Sequence, residues 1–149
     1  MWQQIADIKS MEQFMHEMSL FHDSCIKEMR YISGAYVKEN GRMCPVNITR
    51  ALRVIIQRQA EKHPVVEIEF QKLKFLELFP NDENYTCEIL DATMLMHEGY
   101  IYWMDQGGLT TSDIGSYKGT IICAKSLRWR SIDGCLGIED HFLDKTDNR

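Results

Sequence analysis

His22-Asp23-Ser24-Cys25 sets an imidazole, a carboxylate, a hydroxyl and a thiol in four consecutive positions. A nucleophilic thiol needs a base within hydrogen-bond reach and a third group to orient that base, and the three normally converge from distant parts of a chain. Adjacency therefore points first to a structural junction, with Asp23 or Ser24 bonding free backbone groups and His22 stacked at the core edge. A small enzyme of unknown class, using a polar site near His22, Asp23 and Cys25, is the alternative. Metal chemistry has less to stand on. His22 with Cys25, or Asp91 with His97, lacks diagnostic ligand spacing, and Asp82-Glu83 lacks the glycine and further ligands of a calcium loop. The glycines of Gly107-Gly108 and Gly119 neither precede the lysine of a phosphate loop nor open a helix, so they read as a surface connection. No catalytic residue, metal or cofactor is expected from these motifs.

Two further segments combine aromatic and charged residues: Tyr100, Tyr102, Trp103 and Asp105 in one, Leu127-Arg128-Trp129-Arg130 in the other. In a strand, alternate residues face opposite sides, so Trp103 opposes Tyr100 and Tyr102, and Trp129 opposes Arg128 and Arg130. Were the two strands neighbours, arginine would stack on a tyrosine or tryptophan ring. The same residue types dominate binding hot spots, which makes these segments candidate interface anchors. The candidate binding set is then His22, Asp23, Tyr100, Tyr102, Trp103, Asp105, Arg128, Trp129 and Arg130.

These residues need a scaffold, and hydrophobic periodicity supplies one. Ser10 followed by Gln13 has the form of a capping box. Met11, Phe14, Met15, Met18 and Phe21 then recur at helical spacing, predicting an amphipathic helix from Ser10 to about Leu20. After His22 the period drops to two. Expected strands are Cys25 to Val37, bent at Ser33-Gly34, then Ala51 to Gln59, Leu73 to Phe79, Tyr85 to Met96, Tyr100 to Met104 and Thr120 to Arg130. Val66, Ile68 and Phe70 alternating with Glu67, Glu69 and Gln71 give the clearest half-buried strand, with a bulge near Lys72. Asn40-Gly41 marks a hairpin, and His63-Pro64 and His97-Glu98-Gly99 mark turns. Polar Pro80 to Asn84 and the segment Gln106 to Gly119 read as loops, and the tail after Ile132 as frayed at its end. The expected architecture is α+β: one N-terminal helix packed on a curved, mostly antiparallel sheet of about six or seven strands, in a single domain over 1–149.

The chain has 149 residues with a net charge of −5. That balance disfavours a nucleic acid ligand, whose phosphates call for basic side chains, and favours attraction of a basic protein. No apolar run reaches the length of a membrane span. The first residues, Met1-Trp2-Gln3-Gln4-Ile5-Ala6-Asp7, lack the regions of a signal peptide, so a cytoplasmic location is expected. Five cysteines form an odd set without a C-x-x-C pair, which reads as reduced thiols.

Phe21 to Glu28, the hairpin around Asn40-Gly41, Arg53 to Gln57 and Leu127 to Arg130 together resemble a family of short, uncharacterised bacterial proteins. The resemblance implies an α+β protein of bacterial origin that is not an enzyme. Similar small acidic proteins include immunity proteins, which neutralise toxins, so the expected role is a protein-binding module, immunity-like, for a basic partner.

Overall fold

The computed structural model describes residues 1–147; Asn148 and Arg149, assigned above to a frayed tail, lie outside the described residues. The helix α1 runs over Ile8–Glu17, two residues earlier than the Ser10 start expected from sequence. Asp7 is the cap. Its carboxylate accepts the Ser10 backbone N–H at 2.7 Å while the Ser10 hydroxyl accepts the Asp7 N–H at 3.0 Å. Ser10 is thus the inner member of a capping box, and Gln13 lies inside the helix. That N–H bond, with one from the Ser10 hydroxyl, holds the Asp7 carboxyl below its ordinary pKa.

The strands are β1 (Gln3–Ile5), β2 (Ser24–Ile32), β3 (Tyr36–Val37), β4 (Met43–Cys44), β5 (Ala51–Arg58), β6 (Val65–Glu77), β7 (Thr93–His97), β8 (Tyr100–Met104) and β9 (Ile121–Ser131). Seven form one antiparallel sheet in the order β2-β5-β6-β9-β8-β7, with β1 also paired to β9. The expected α+β architecture of a helix on an antiparallel sheet is what the chain adopts. The helix stripe is buried in full: Met11, Phe14, Met15, Met18 and Phe21 pack with Leu52, Val54, Ile56, Val66, Ile68, Phe70 and Trp129. The expected bulge is present, with Lys72 at φ +55° and a register shift between Leu73 and Phe75.

Four further boundaries differ from the sequence reading. The helix ends at Glu17, and Ser19, Leu20, Phe21 and Asp23 adopt left-handed φ of 50–59°. The expected strand Cys25 to Val37 divides at Ser33-Gly34. Beyond it β3 and β4 form a separate two-stranded arm, because Gly34, at φ +90°, brings its backbone against Thr49 where a Cβ would lie 2.6 Å from Oγ1. Of Tyr85 to Met96 only Thr93–His97 is strand; Ile89 makes a single bridge to Ser24, and Leu90 turns its carbonyl to His22. Lastly, the described part of the tail, up to Asp147, is folded. A second helix, α2 (Phe142–Thr146), buries Phe142 and Leu143 against Ile55, Val65, Ile132 and Cys135 on the sheet face opposite α1.

The position of α2 changes the character of the β6 polar face, which alternation alone would leave in solvent. Glu67 is fully buried beneath α2. Its Oε1 accepts from Arg53 Nε at 2.7 Å and Nη2 at 2.5 Å, and its Oε2 from Arg130 Nε at 2.8 Å. Arg53 also donates to Thr146 Oγ1 at 2.7 Å and to Asp147, while Arg30 binds Asp144 and Asp147. The Arg53 hydrogen bond leads in holding the Asp147 carboxyl below its ordinary value of 3.8, and Arg30 adds to it. A depressed carboxylate contributes stability that is present above the ordinary value and is lost as pH falls through the folded one. The denaturation midpoint should therefore fall with acid below about pH 4. Asp147→Asn should be less stable at neutral pH and lose less on acidification, a difference readable in urea titrations across pH.

Candidate functional site

Antiparallel pairing brings three strand ends to one end of the sheet. Glu77 at the close of β6 lies beside Ile121 at the start of β9, and Ile121 lies beside Met104 at the close of β8. The segments leaving these strands, 78–91 and 105–120, face each other across a groove of about 710 Å³. Ile26 and Ile89 contribute to an apolar floor, and Leu78, Phe79 and Leu90 are exposed apolar residues on its wall. Glu88, Asp91 and Asp105 line it with carboxylates, against the single ammonium of Lys118.

Local bonding holds this wall in shape. Asp105 Oδ1 accepts from the Tyr117 hydroxyl and from the Thr120 N–H at 3.2 Å. Burial, with the Asp105 carboxylate beside it, pushes the Tyr117 hydroxyl well above the ordinary tyrosine range, so it stays protonated and donating. Two glycines let the loops close on the acids: a Cβ at Gly107 would lie 2.6 Å from Asp91 Cβ, and one at Gly119 would lie 2.8 Å from Asp105 Oδ1 and strike the Tyr117 hydroxyl. These glycines therefore approach carboxylates. That is the opposite of a phosphate cradle, where backbone N–H groups converge on an anion.

His22 stands at the rim of this groove, its side chain 55% exposed. Its Nδ1–H donates to the Leu90 carbonyl, while Nε2 lies 3.4 Å from Asp23 and Nδ1 3.6 Å from Asp91. The Leu90 carbonyl first, then the Asp23 carboxylate, hold its pKa above the ordinary 6.5. The left-handed turn at 19–23 produces this placement, and buried Phe21 pins it. Such backbone strain is characteristic of sites held by their surroundings. Ser24 serves the junction as expected, its hydroxyl donating to the His22 carbonyl at 3.3 Å.

Cys25 belongs to a neighbouring cleft of about 640 Å³, which it lines with Asp23, Gln57, Tyr85, Cys87 and Leu136. Burial pushes its thiol pKa up, and nearby Cys87 adds to the effect. A nucleophilic cysteine needs the reverse shift. None of the His22 ring partners is Cys25. No disulfide joins any of the five cysteines. Among the described residues no group of three or more His, Cys, Asp or Glu side chains is placed to hold a metal ion. His97 lies beside Glu98 at 3.7 Å, while Asp91 lies beside His22 at 3.6 Å.

The remaining candidates are dispersed. Trp103 and Trp129 sit in the main core, Trp103 edge-on to Phe21 at 5.9 Å and Trp129 5.1 Å from Phe14. Tyr102 is buried on the opposite face with Met104, Ile121 and Cys123, its hydroxyl pushed up to about 12 by burial and by Cys123. Both faces of the Tyr100 to Met104 strand are thus covered. Tyr100 carries Lys74 and Lys125 over its ring at 4.4 and 5.1 Å. The expected arginine stacking does occur, with a different ring: Arg128 and Arg130 lie 4.4 and 4.5 Å from the Trp2 ring centroid. The physical reason is register. The Tyr100 strand pairs only with Ile121 to Ala124, leaving Arg128 and Arg130 beside β1.

Of the candidate set, then, Asp105 lines the groove and His22 stands at its rim, whereas Asp23 faces the neighbouring cleft. Sequence reasoning missed Glu88, Leu78, Phe79 and Tyr117, and weighed Asp91 only as a metal ligand. The available signal was the contrast between polar Asn81 to Asn84 and the apolar residues flanking it, which a sheet interior would not leave together.

The fold and groove define the class: an α+β protein with a helix on an antiparallel sheet and an open, acid-lined groove at one sheet end. No family model, curated protein or solved structure matches the chain. No helix among the described residues is long and apolar enough to cross a membrane.

Proposed function

We propose that this is a non-catalytic protein-binding module, immunity-like in kind, that receives a basic segment of a partner protein in the groove between 78–91 and 105–120. The observation that carries the reading is the pairing of an apolar floor with Glu88, Asp91 and Asp105 in one preformed recess. A lysine or arginine side chain fits both features, its aliphatic stem against Leu78, Phe79 or Ile89 and its charged head among the carboxylates. The net charge of −5 favours encounter with such a partner over long range. A bacterial origin and a cytoplasmic location accord with this role and belong to the same proposal.

The test is a peptide array that varies lysine, arginine and apolar content, followed by calorimetry on the peptides retained. Basic-apolar peptides should be selected, with affinity falling as salt rises, since exposed charges are screened within about 8 Å at physiological ionic strength. The double variant Glu88→Gln, Asp91→Asn keeps side-chain shape and should weaken binding about tenfold or more. Selection of neutral or acidic peptides, or affinity unchanged in the double variant, would refute the reading.

A further inference from the structure

We propose that the arm spanning 33–50 is a self-association surface through which two copies of this chain pair about a two-fold axis. The arm is anchored to the sheet by defined bonds. Ser33 O accepts the N–H groups of Thr49 and Arg50 at 3.0 and 3.1 Å, and Lys72 Nζ donates to Ile48 O at 2.6 Å. Yet this anchored element returns almost no apolar burial to its own fold. Tyr36, Val37, Met43, Val46 and Ile48 are 56–64% exposed, and Tyr31 and Ile32, where β2 leads into the arm, are 49% and 43% exposed. A two-stranded hairpin with two residues per strand is marginal alone in water, so a contact outside the chain is what would stabilise it.

The geometry of the arm selects the occupant. Tyr36 pairs with Cys44 and Val37 with Met43, and neighbouring pairs face opposite sides, so apolar side chains stand on both faces of the hairpin. A flat foreign surface would cover one face and leave the other wet. Two arms laid together about a two-fold axis interleave and cover both, each copy offering the same patch. The area is also suitable: at roughly 100 Å² exposed per large apolar side chain, the seven named residues present about 700 Å² per copy, near the 800 Å² that each partner buries in a standard interface.

Charge places a condition on this choice. Glu39 is the sole acidic residue between 31 and 50, against Lys38, Arg42 and Arg50, so each arm carries a net charge of +2 and the pair must set Glu39 of one copy against the basic tip of the other. The groove carboxylates that give the protein part of its acidic excess lie elsewhere. A basic partner suits the groove; the arm suits its own copy.

Sedimentation equilibrium of the full chain in reductant, from about 1 to about 100 µM, decides the matter. The expected result is a species of about twice 17.5 kDa. Val37→Glu with Met43→Glu, both at exposed positions, should give a folded monomer that keeps the wild-type circular dichroism spectrum. The groove variant Glu88→Gln, Asp91→Asn should remain dimeric. A wild-type monomer throughout that range would overturn the proposal, as would a dimer that persists in the arm variant. Loss of the dimer in the groove variant would also overturn it, because the contact would then join arm to groove.

Discussion

Replacing Glu67 with alanine should lower the unfolding free energy by about 3–5 kcal/mol, because it leaves Arg53 and Arg130 facing each other without their shared anion in a buried site. The magnitude follows from desolvation. Glu67 has no exposed side-chain surface, and Arg53 and Arg130 retain only 11% and 15% of theirs. Both carboxylate oxygens are engaged by guanidinium donors, so the intact cluster leaves Glu67 no unmet polar group. Removing the anion frees donors that water reaches poorly beneath α2, and an unsatisfied buried donor costs more than a formed hydrogen bond returns. Glu67→Gln separates charge from shape: it keeps an acceptor oxygen for one arginine and should fall between wild type and alanine. Urea denaturation of the three proteins at neutral pH measures the order. If alanine and wild type have equal midpoints, the cluster is solvated and α2 does not cover it.

The second large effect is expected on the other face of the sheet. Phe14→Ala should cost about 3–5 kcal/mol through lost transfer energy and the cavity left behind. Phe14 is 1% exposed and meets two rings, Phe21 edge-on at 5.6 Å and Trp129 at 5.1 Å. Phe21 in turn stands edge-on to Trp103, so one side chain of α1 joins an aromatic chain that reaches β8 and β9. Against total stabilities of about 5–15 kcal/mol for natural domains, this loss is a large share. Phe14→Leu fills most of the volume and should cost about half as much or less. The midpoint of chemical denaturation, with tryptophan fluorescence reporting on Trp129 and Trp103, is the measurement. An unchanged midpoint for Phe14→Ala would mean that the helix does not pack on the sheet.

The two faces also bear on how the groove is held. The segment 78–91 is tied down by Ile89, whose N–H bonds Ser24 O at 2.8 Å, and by the residue that follows the segment, Ala92, whose N–H bonds Leu20 O at 2.7 Å. Both acceptors lie in or next to the left-handed turn that Phe21 pins. Core loss at Phe14 or Phe21 should therefore loosen the groove wall before the distant arm.

The sequence by itself determined the parts that repeat with a local period. The stripe Met11, Phe14, Met15, Met18 and Phe21 declares a buried helix face, and alternation around Val66, Ile68 and Phe70 declares a strand, because helix and strand geometry alone decide which neighbours in sequence share a face. Asn40-Gly41 and Lys72 were readable for the same reason, a turn and a bulge being decided by a few adjacent dihedrals. Only the tertiary structure decided what lies against each face. The glutamates of β6 look solvent-facing in sequence, yet Glu67 is buried because residues 63 to 79 positions away cover it: Arg130 from β9 and the helix α2. The same holds for the arginine stack, whose ring is Trp2 and not a tyrosine of the Tyr100 strand, since strand register joins β1 to β9. It holds most of all for the groove, where Glu88, Asp91 and Asp105 converge from two loops. Loops have no period from which placement can be read, and their positions follow from where antiparallel pairing leaves the strand ends.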